Sequence, residues 1–183
     1  MKEIIPILLE WLTFLSDIFI IGFFFAFLYT KIFRKKLSWF NAFLRAISKN
    51  YLLFGLIISL TATLGSLYYS EIMGYSPCVL CWYQRILMYP QIILFGIALW
   101  HKNTSVINYI IPLSFIGAVL AAFHYQLQIS NSSSFSCSII GYSASCTEKF
   151  FLSFGYITIP MMALTAFALI LIFSYTKYKF KNK

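Results

Sequence analysis

Charge is what this chain has least of. Only 10% of its 183 residues are charged, and only five are acidic. Soluble domains carry about a quarter charged residues, so a single water-facing core is excluded. Strand-like alternation is missing too, which removes a transmembrane barrel, whose strands alternate lipid-facing and lumen-facing residues. There is no Gly-rich phosphate loop, no paired set of catalytic carboxylates and no Ser-His-Asp set, so nucleotide-binding and common hydrolytic chemistries have no residues to work with. Cysteine is limited to four positions and histidine to two.

What fills the chain instead is apolar. Hydrophobic residues make up 61% of it, gathered into five runs at 12–33, 51–69, 82–100, 106–129 and 150–175. Each is long enough, or nearly so, to cross about 30 Å of hydrocarbon as a helix. The expectation is an all-α polytopic membrane protein. Pro90 and Pro160 fall inside the third and fifth runs, where membrane helices accept kinks. Asp17 interrupts the first run, whose unbroken part starts near Ile18. Aromatic residues, 20% of the chain, suit lipid-facing surfaces and interfacial belts, with Trp82, Trp100 and Tyr175 near helix ends. Gly117, Ala118, Ala121 and Ala122 allow close packing by the fourth helix.

The few charges set the orientation. Lys31, Arg34, Lys35, Lys36, Arg45, Lys49, Lys102 and four lysines between 177 and 183 fall on one side of a five-helix arrangement, eleven of the fourteen basic residues. All five acids (Glu3, Glu10, Asp17, Glu71, Glu148) fall on the other side or near its boundary. The positive-inside rule makes the basic side cytoplasmic, with the N-terminus outside and the C-terminus inside. The net charge of +9 therefore reflects topology. No basic domain or binding motif points to nucleic acid. The first run has one lysine against two acids before it and no small-x-small cleavage site, which fits a retained helix better than a signal peptide. Between 34 and 49, Leu37, Phe40, Leu44 and Ile47 share one helical face, a pattern suited to a helix on the inner membrane surface. The expected organisation is an N-terminal helix and linker at 1–50, a four-helix membrane domain at 51–176 and a basic tail at 177–183.

This topology puts all four cysteines on the oxidising side, Cys78 and Cys81 before the third helix and Cys137 and Cys146 in the loop before the fifth. That distribution belongs to disulfide chemistry. Two inert staples are the bland alternative. They fit Cys137 and Cys146 as well as a redox pair does. They fit Cys78-Val79-Leu80-Cys81 less well, because a two-residue spacer closes a small loop and restrains little chain. A Cys-x-x-Cys pair at a helix N-terminus is suited to thiol exchange, since the partial positive charge there favours thiolate. Arg85 lies one turn beyond Cys81 on the same face. It can hydrogen-bond a carbonyl and support the Cys81 thiolate, or merely reach to headgroups. His124 and Gln128 align at i,i+4 late in the fourth run, level with the cysteine pair. His101 belongs to the cytoplasmic interface.

The string Pro77-Cys78-Val79-Leu80-Cys81-Trp82-Tyr83-Gln84-Arg85 and its continuation to Pro90 resembles the DsbB/BdbC family of bacterial disulfide-generating membrane proteins. Phe123-His124-Tyr125-Gln126-Leu127-Gln128, Ser145-Cys146-Thr147 and Phe154-Gly155-Tyr156-Ile157-Thr158-Ile159-Pro160 follow in the order seen in BdbC-type members. The resemblance covers about residues 51–176, leaving the first helix as an addition to the usual four. It implies a thiol:quinone oxidoreductase of the bacterial cytoplasmic (inner) membrane. A DsbA-like thioredoxin-fold partner would be reoxidised by the Cys137–Cys146 pair, with Cys137 forming the transient mixed disulfide. Electrons would pass to Cys78–Cys81 and leave through Cys81 to the membrane quinone pool, ubiquinone or menaquinone. Arg85, His124 and Gln128 would lie at the quinone. Two other classes are weighed against it. A metal transporter or chaperone would use the cysteines and histidine as soft ligands, though Cys137 and Cys146 lack tight metal spacing. A structural membrane protein would use them as staples only.

Overall fold

The computed structural model describes residues 4–33, 38–130 and 145–181. It is all-α. The elements are α1 (Ile4–Ile32), α2 (Ser38–Leu67), a π-helical turn (Tyr68–Ile72), α3 (Val79–Trp100), a short 3-10 turn (Thr104–Val106), α4 (Ile107–Ser130) and α5 (Ile159–Lys181). Helices α2 to α5 pack as a closed four-helix ring, each against its two neighbours, and α1 lies outside the ring against α5. Among the described residues the sole β feature is one antiparallel bridge between Ser153 and Ile157.

Helices α1, α2, α4 and α5 are each long and apolar enough to cross a membrane. The third expected span, α3, has 22 residues, about 33 Å of helix. Its lower hydropathy comes from Gln84, Arg85 and Gln91. The two glutamines are buried, and Gln91 accepts a hydrogen bond from Ser114 Oγ of α4 at 3.0 Å. On the opposite side α3 exposes Ile86, Ile93 and Ile97, the apolar stripe a lipid-facing helix needs.

Three expectations are corrected. First, α1 begins at Ile4 and runs straight through Asp17. The carboxylate is tolerated because hydroxyls of Tyr156 and Thr165 donate to it. Second, the amphipathic stretch is the first part of α2, separated from the rest by a non-helical Asn50 (φ −109°, ψ 16°). Phe40, Leu44 and Ile47 do share a face, but it is buried in protein, with the Phe40 ring 5.8 Å from that of Phe23 in α1. Leu37 lies outside the described residues. Third, the fifth helix starts at Ile159, not 150. Phe154 and Gly155 adopt positive φ (53° and 78°), which ends any helical path, and the chain turns at the Ser153–Ile157 bridge. Pro160 consequently sits in the first turn of α5, where its missing N–H costs nothing and no kink results.

Ring packing is tight where glycine meets aromatic. Gly117 of α4 faces Phe167 of α5, and Gly55 of α2 faces Phe95 of α3; a Cβ at either position would run into the ring. Both rings are fully buried. Gly117→Ala should therefore destabilise the fold by about 1–3 kcal/mol through overpacking. Thermal unfolding in detergent measures it, and an unchanged midpoint would refute this packing.

The helices alternate in direction. Cys78, Cys81, His124 and the 145–158 segment gather at one end of the bundle. Lys31, Lys102 and Lys177 lie at the other, with Lys177 Nζ 5.7 Å from the centroid of the Tyr51 ring. The basic end is the cytoplasmic one by the positive-inside rule.

Candidate active site

Pro77 cannot continue a helix backward, and Cys78 follows it in extended conformation (φ −76°, ψ 171°) as the N-cap of α3. Its sulfur takes the place usually held by a serine or aspartate oxygen, accepting from the Cys81 backbone N–H at 3.4 Å. The two sulfurs are 3.1 Å apart, and both cysteines are free thiols. One helical turn with the first cysteine outside it is what brings them together. The unsatisfied N–H groups of α3 point toward Cys78, a site that favours a thiolate.

The two sulfurs face different neighbours. Cys78 is buried in a cluster with Leu80, Leu127 and Cys146. His124 Nε2 of α4 lies 3.6 Å from its sulfur. On the other ring nitrogen, Nδ1 accepts from the Gln84 side-chain amide at 3.1 Å, which leaves Nε2 as the protonated nitrogen aimed at Cys78. The Cys78 thiol, just outside α3, is drawn down to about 4. The hydrogen bond with Cys81 is the main cause; His124 adds to it, and burial opposes both. Cys146 is disulfide-bonded and fully buried. Cys137 lies outside the described residues.

Cys81 packs on the edge of the same cluster and, unlike Cys78, also lines a cavity of about 240 Å³ that α1, α2, α3 and α5 enclose with mainly apolar side chains. Arg85 lies on the same wall. Its guanidinium is tethered on two sides: Nε donates to Ser66 Oγ at 2.9 Å and Nη2 to the Ser66 carbonyl at 3.0 Å, with the Trp82 ring 5.3 Å away. Tyr69 and Tyr89 also line the cavity, and each has a buried hydroxyl with no hydrogen-bond partner. Buried hydroxyls are rarely left unpaired. An apolar hollow holding a fixed cation and two unspent hydroxyls fits a ring compound carrying carbonyl oxygens, so a quinone headgroup suits the residues present.

Of the residues expected at the quinone, Arg85 lines this cavity, whereas His124 and Gln128 do not. His124 stands behind Cys78. Gln128 donates to the Glu148 carbonyl at 2.8 Å, bracing the segment that carries Cys146. Cys78, Cys81 and His124 offer three ligand atoms within 4.8 Å of one another. Sequence reasoning passed over Ser66, Tyr69 and Tyr89. Ser66, beside Gly65 near the end of an apolar run, was the one visible signal among them.

The family model described as "Disulfide bond formation protein DsbB" matches residues 48–176. The chain is 44% identical over 123 residues to "Probable disulfide formation protein C 1" of Bacillus cereus, covering 67% of this chain and 88% of that protein. It is 44% identical over 118 residues to "Disulfide bond formation protein C" of Bacillus subtilis, covering 64% and 84%. A "Probable disulfide formation protein" of Chlamydia caviae is 40% identical over 127 residues, covering 69% and 90%. No solved structure matches the chain. The chain belongs to the DsbB family of disulfide bond formation proteins.

Proposed function

We propose that this DsbB-family thiol:quinone oxidoreductase of the cytoplasmic membrane moves an electron pair across a single helix turn, with Cys78 as its entry and Cys81 as its exit. The observation that carries this is the division of the two neighbouring sulfurs. Cys78 is buried against Cys146 and His124 and does not line the cavity, whereas Cys81, at the edge of that cluster, lines the cavity with Arg85.

The steps balance as two thiol–disulfide exchanges and one two-electron oxidation. A DsbA-like partner dithiol is oxidised by the Cys137–Cys146 disulfide, with Cys137 taking the mixed disulfide, and leaves as a disulfide. The loop dithiol then reduces the Cys78–Cys81 disulfide. Cys78 is the sulfur within its reach, and each exchange is attack by a thiolate on a disulfide sulfur. Finally Cys78 and Cys81 close to a disulfide again, and two electrons and two protons leave with quinone reduced to quinol. His124 Nε2–H stabilises the Cys78 thiolate, both as the group displaced in the exchange and as the attacking group when the ring recloses. Arg85 places fixed positive charge where a carbonyl oxygen gains electrons, the preorganised stabilisation that lowers such barriers most.

The deciding experiment gives purified protein a reduced DsbA-like partner and each quinone in turn. Quinol formed should equal partner disulfide formed; partner oxidation without quinol would overturn the reading. His124→Ala should slow electron transfer from the loop pair to Cys78–Cys81 about tenfold to a hundredfold, the worth of one hydrogen bond to a charged group. The quinone KM should not change, because His124 does not line the cavity. A raised quinone KM in that variant would return His124 to the quinone.

A second reading rests on the three soft donor atoms of Cys78, Cys81 and His124. It requires zinc or copper(I) retained at one per chain through purification, together with no quinone reduction.

A further inference from the structure

The family match begins at residue 48, so α1 lies wholly outside it, and an anchor in lipid would need only an apolar helix. Instead α1 is fastened to the redox end of the bundle by three separate contacts. The Phe154 ring stacks on Phe14 at 4.9 Å and meets Trp11 edge-on at 5.0 Å. Phe154 holds a left-handed backbone (φ 53°), a conformation uncommon for a bulky residue, and in doing so presents its ring to α1. Leu9 sits over Gly65 of α2, so closely that a Cβ there would lie 3.1 Å from it.

The third contact is Asp17. Its two carboxylate oxygens accept from the hydroxyls of Tyr156 at 3.0 Å and Thr165 at 2.6 Å. Burial, and then Asp17 itself, push the Tyr156 hydroxyl up to about 12, so it stays a donor throughout the working range. The Tyr156 carbonyl in turn accepts from Tyr125 of α4 at 3.0 Å. A carboxylate within a membrane helix is costly and is kept where it does something specific.

What the fastening positions is a wall. Leu9, Leu12, Thr13 and Ser16 line the same cavity as Cys81 and Arg85, with Leu12 at the exposed edge of α1 beside Leu8 and Leu15. Thr165, which holds Asp17, lines the cavity from α5. We propose that α1 is part of the quinone-binding site: Leu9, Leu12, Thr13 and Ser16 form its lipid-side wall, and the Asp17 clasp sets how far that wall stands from Cys81 and Arg85. This rests on the quinone reading given above and adds a substrate-binding element from outside the matched residues. The ring is then held between α1 and the redox helix, and not against the matched helices alone.

The test uses the full chain in membranes and an azido-substituted quinone that the protein reduces. After illumination, label identified by mass spectrometry should fall on residues 9–16 as well as on α3; label confined to α2, α3 and α5 would overturn the proposal. Ser16→Phe narrows the cavity and should raise the quinone KM roughly tenfold, while single-turnover exchange with the DsbA-like partner stays at the parental rate. An unchanged KM in folded Ser16→Phe protein would also overturn it. Parental protein that reduces no quinone refutes the underlying reading, and the role of α1 falls with it. Parental protein that reduces quinone but shows no label on α1 leaves that reading standing and removes α1 alone.

Discussion

Cys78→Ser and Cys81→Ser should each reduce steady-state oxidation of a DsbA-like partner to background, but they should fail in different ways. In Cys81→Ser the remaining sulfur faces Cys146 within one buried cluster. Cys78 can still attack the loop disulfide at Cys146, displacing the Cys137 thiolate, and with no Cys81 thiol to resolve it on the α3 side, a Cys78–Cys146 link should accumulate. In Cys78→Ser the remaining sulfur lines the cavity and only borders that cluster, and the proposed roles predict no accumulated link to Cys146. Non-reducing peptide mapping distinguishes the two. Turnover surviving in either variant, or a Cys81–Cys146 link in the second, would refute the assignment of entry and exit sulfurs. Reduced Cys78 should be thiolate at mildly acidic pH, since its thiol is drawn down to about 4. The ultraviolet absorbance of the thiolate checks this without a reagent having to reach the buried sulfur.

Arg85→Ala should lower kcat/KM for quinone about tenfold to a hundredfold, the cost of one charge-assisted hydrogen bond to a developing negative charge. Exchange with the partner should persist through one turnover, because Cys78 and the loop pair do not need the guanidinium. Arg85→Lys should recover only part of the loss. Two of the guanidinium nitrogens are engaged with Ser66, leaving the third free, and an ammonium cannot hold this planar fork. Ser66→Ala keeps the charge but releases the tether and should fall between parent and Arg85→Ala. Quinone kinetics unchanged in folded Arg85→Ala protein would make this arginine an anchor to headgroups.

The chemistry was legible wherever it lay along one helix. Cys78 and Cys81 are within one turn and Arg85 is one turn further, so spacing alone put them together. Relations between helices were not legible. The contact of His124 with Cys78 and Gln84 joins α4 to α3, and no local periodicity shows which buried group a histidine will meet. The resemblance sets His124 and Gln128 near the quinone; in the fold His124 stands at the Cys78 sulfur and Gln128 at the Glu148 carbonyl. Asp17 looked like a flaw in an apolar run because its two hydroxyl donors are more than a hundred residues away in sequence. The start of the fifth helix is hidden in the sequence for a similar reason. Residues 150–158 are apolar enough to continue it, and only the left-handed turn at Phe154 and Gly155 prevents this.

The different surroundings of the two sulfurs also bear on what must not happen. An enzyme that joins a thiol pool to a respiratory carrier risks a short circuit, in which any small extracellular thiol drains its electrons straight into the membrane. Here Cys81 lines the cavity and Cys78 does not, while Cys78 is buried in the cluster that holds Cys146. In the proposed route electrons pass only when the ring between them opens and closes. The helix turn would then work as a rectifier, and the specificity of the pathway would be left to whichever protein can reach the loop pair.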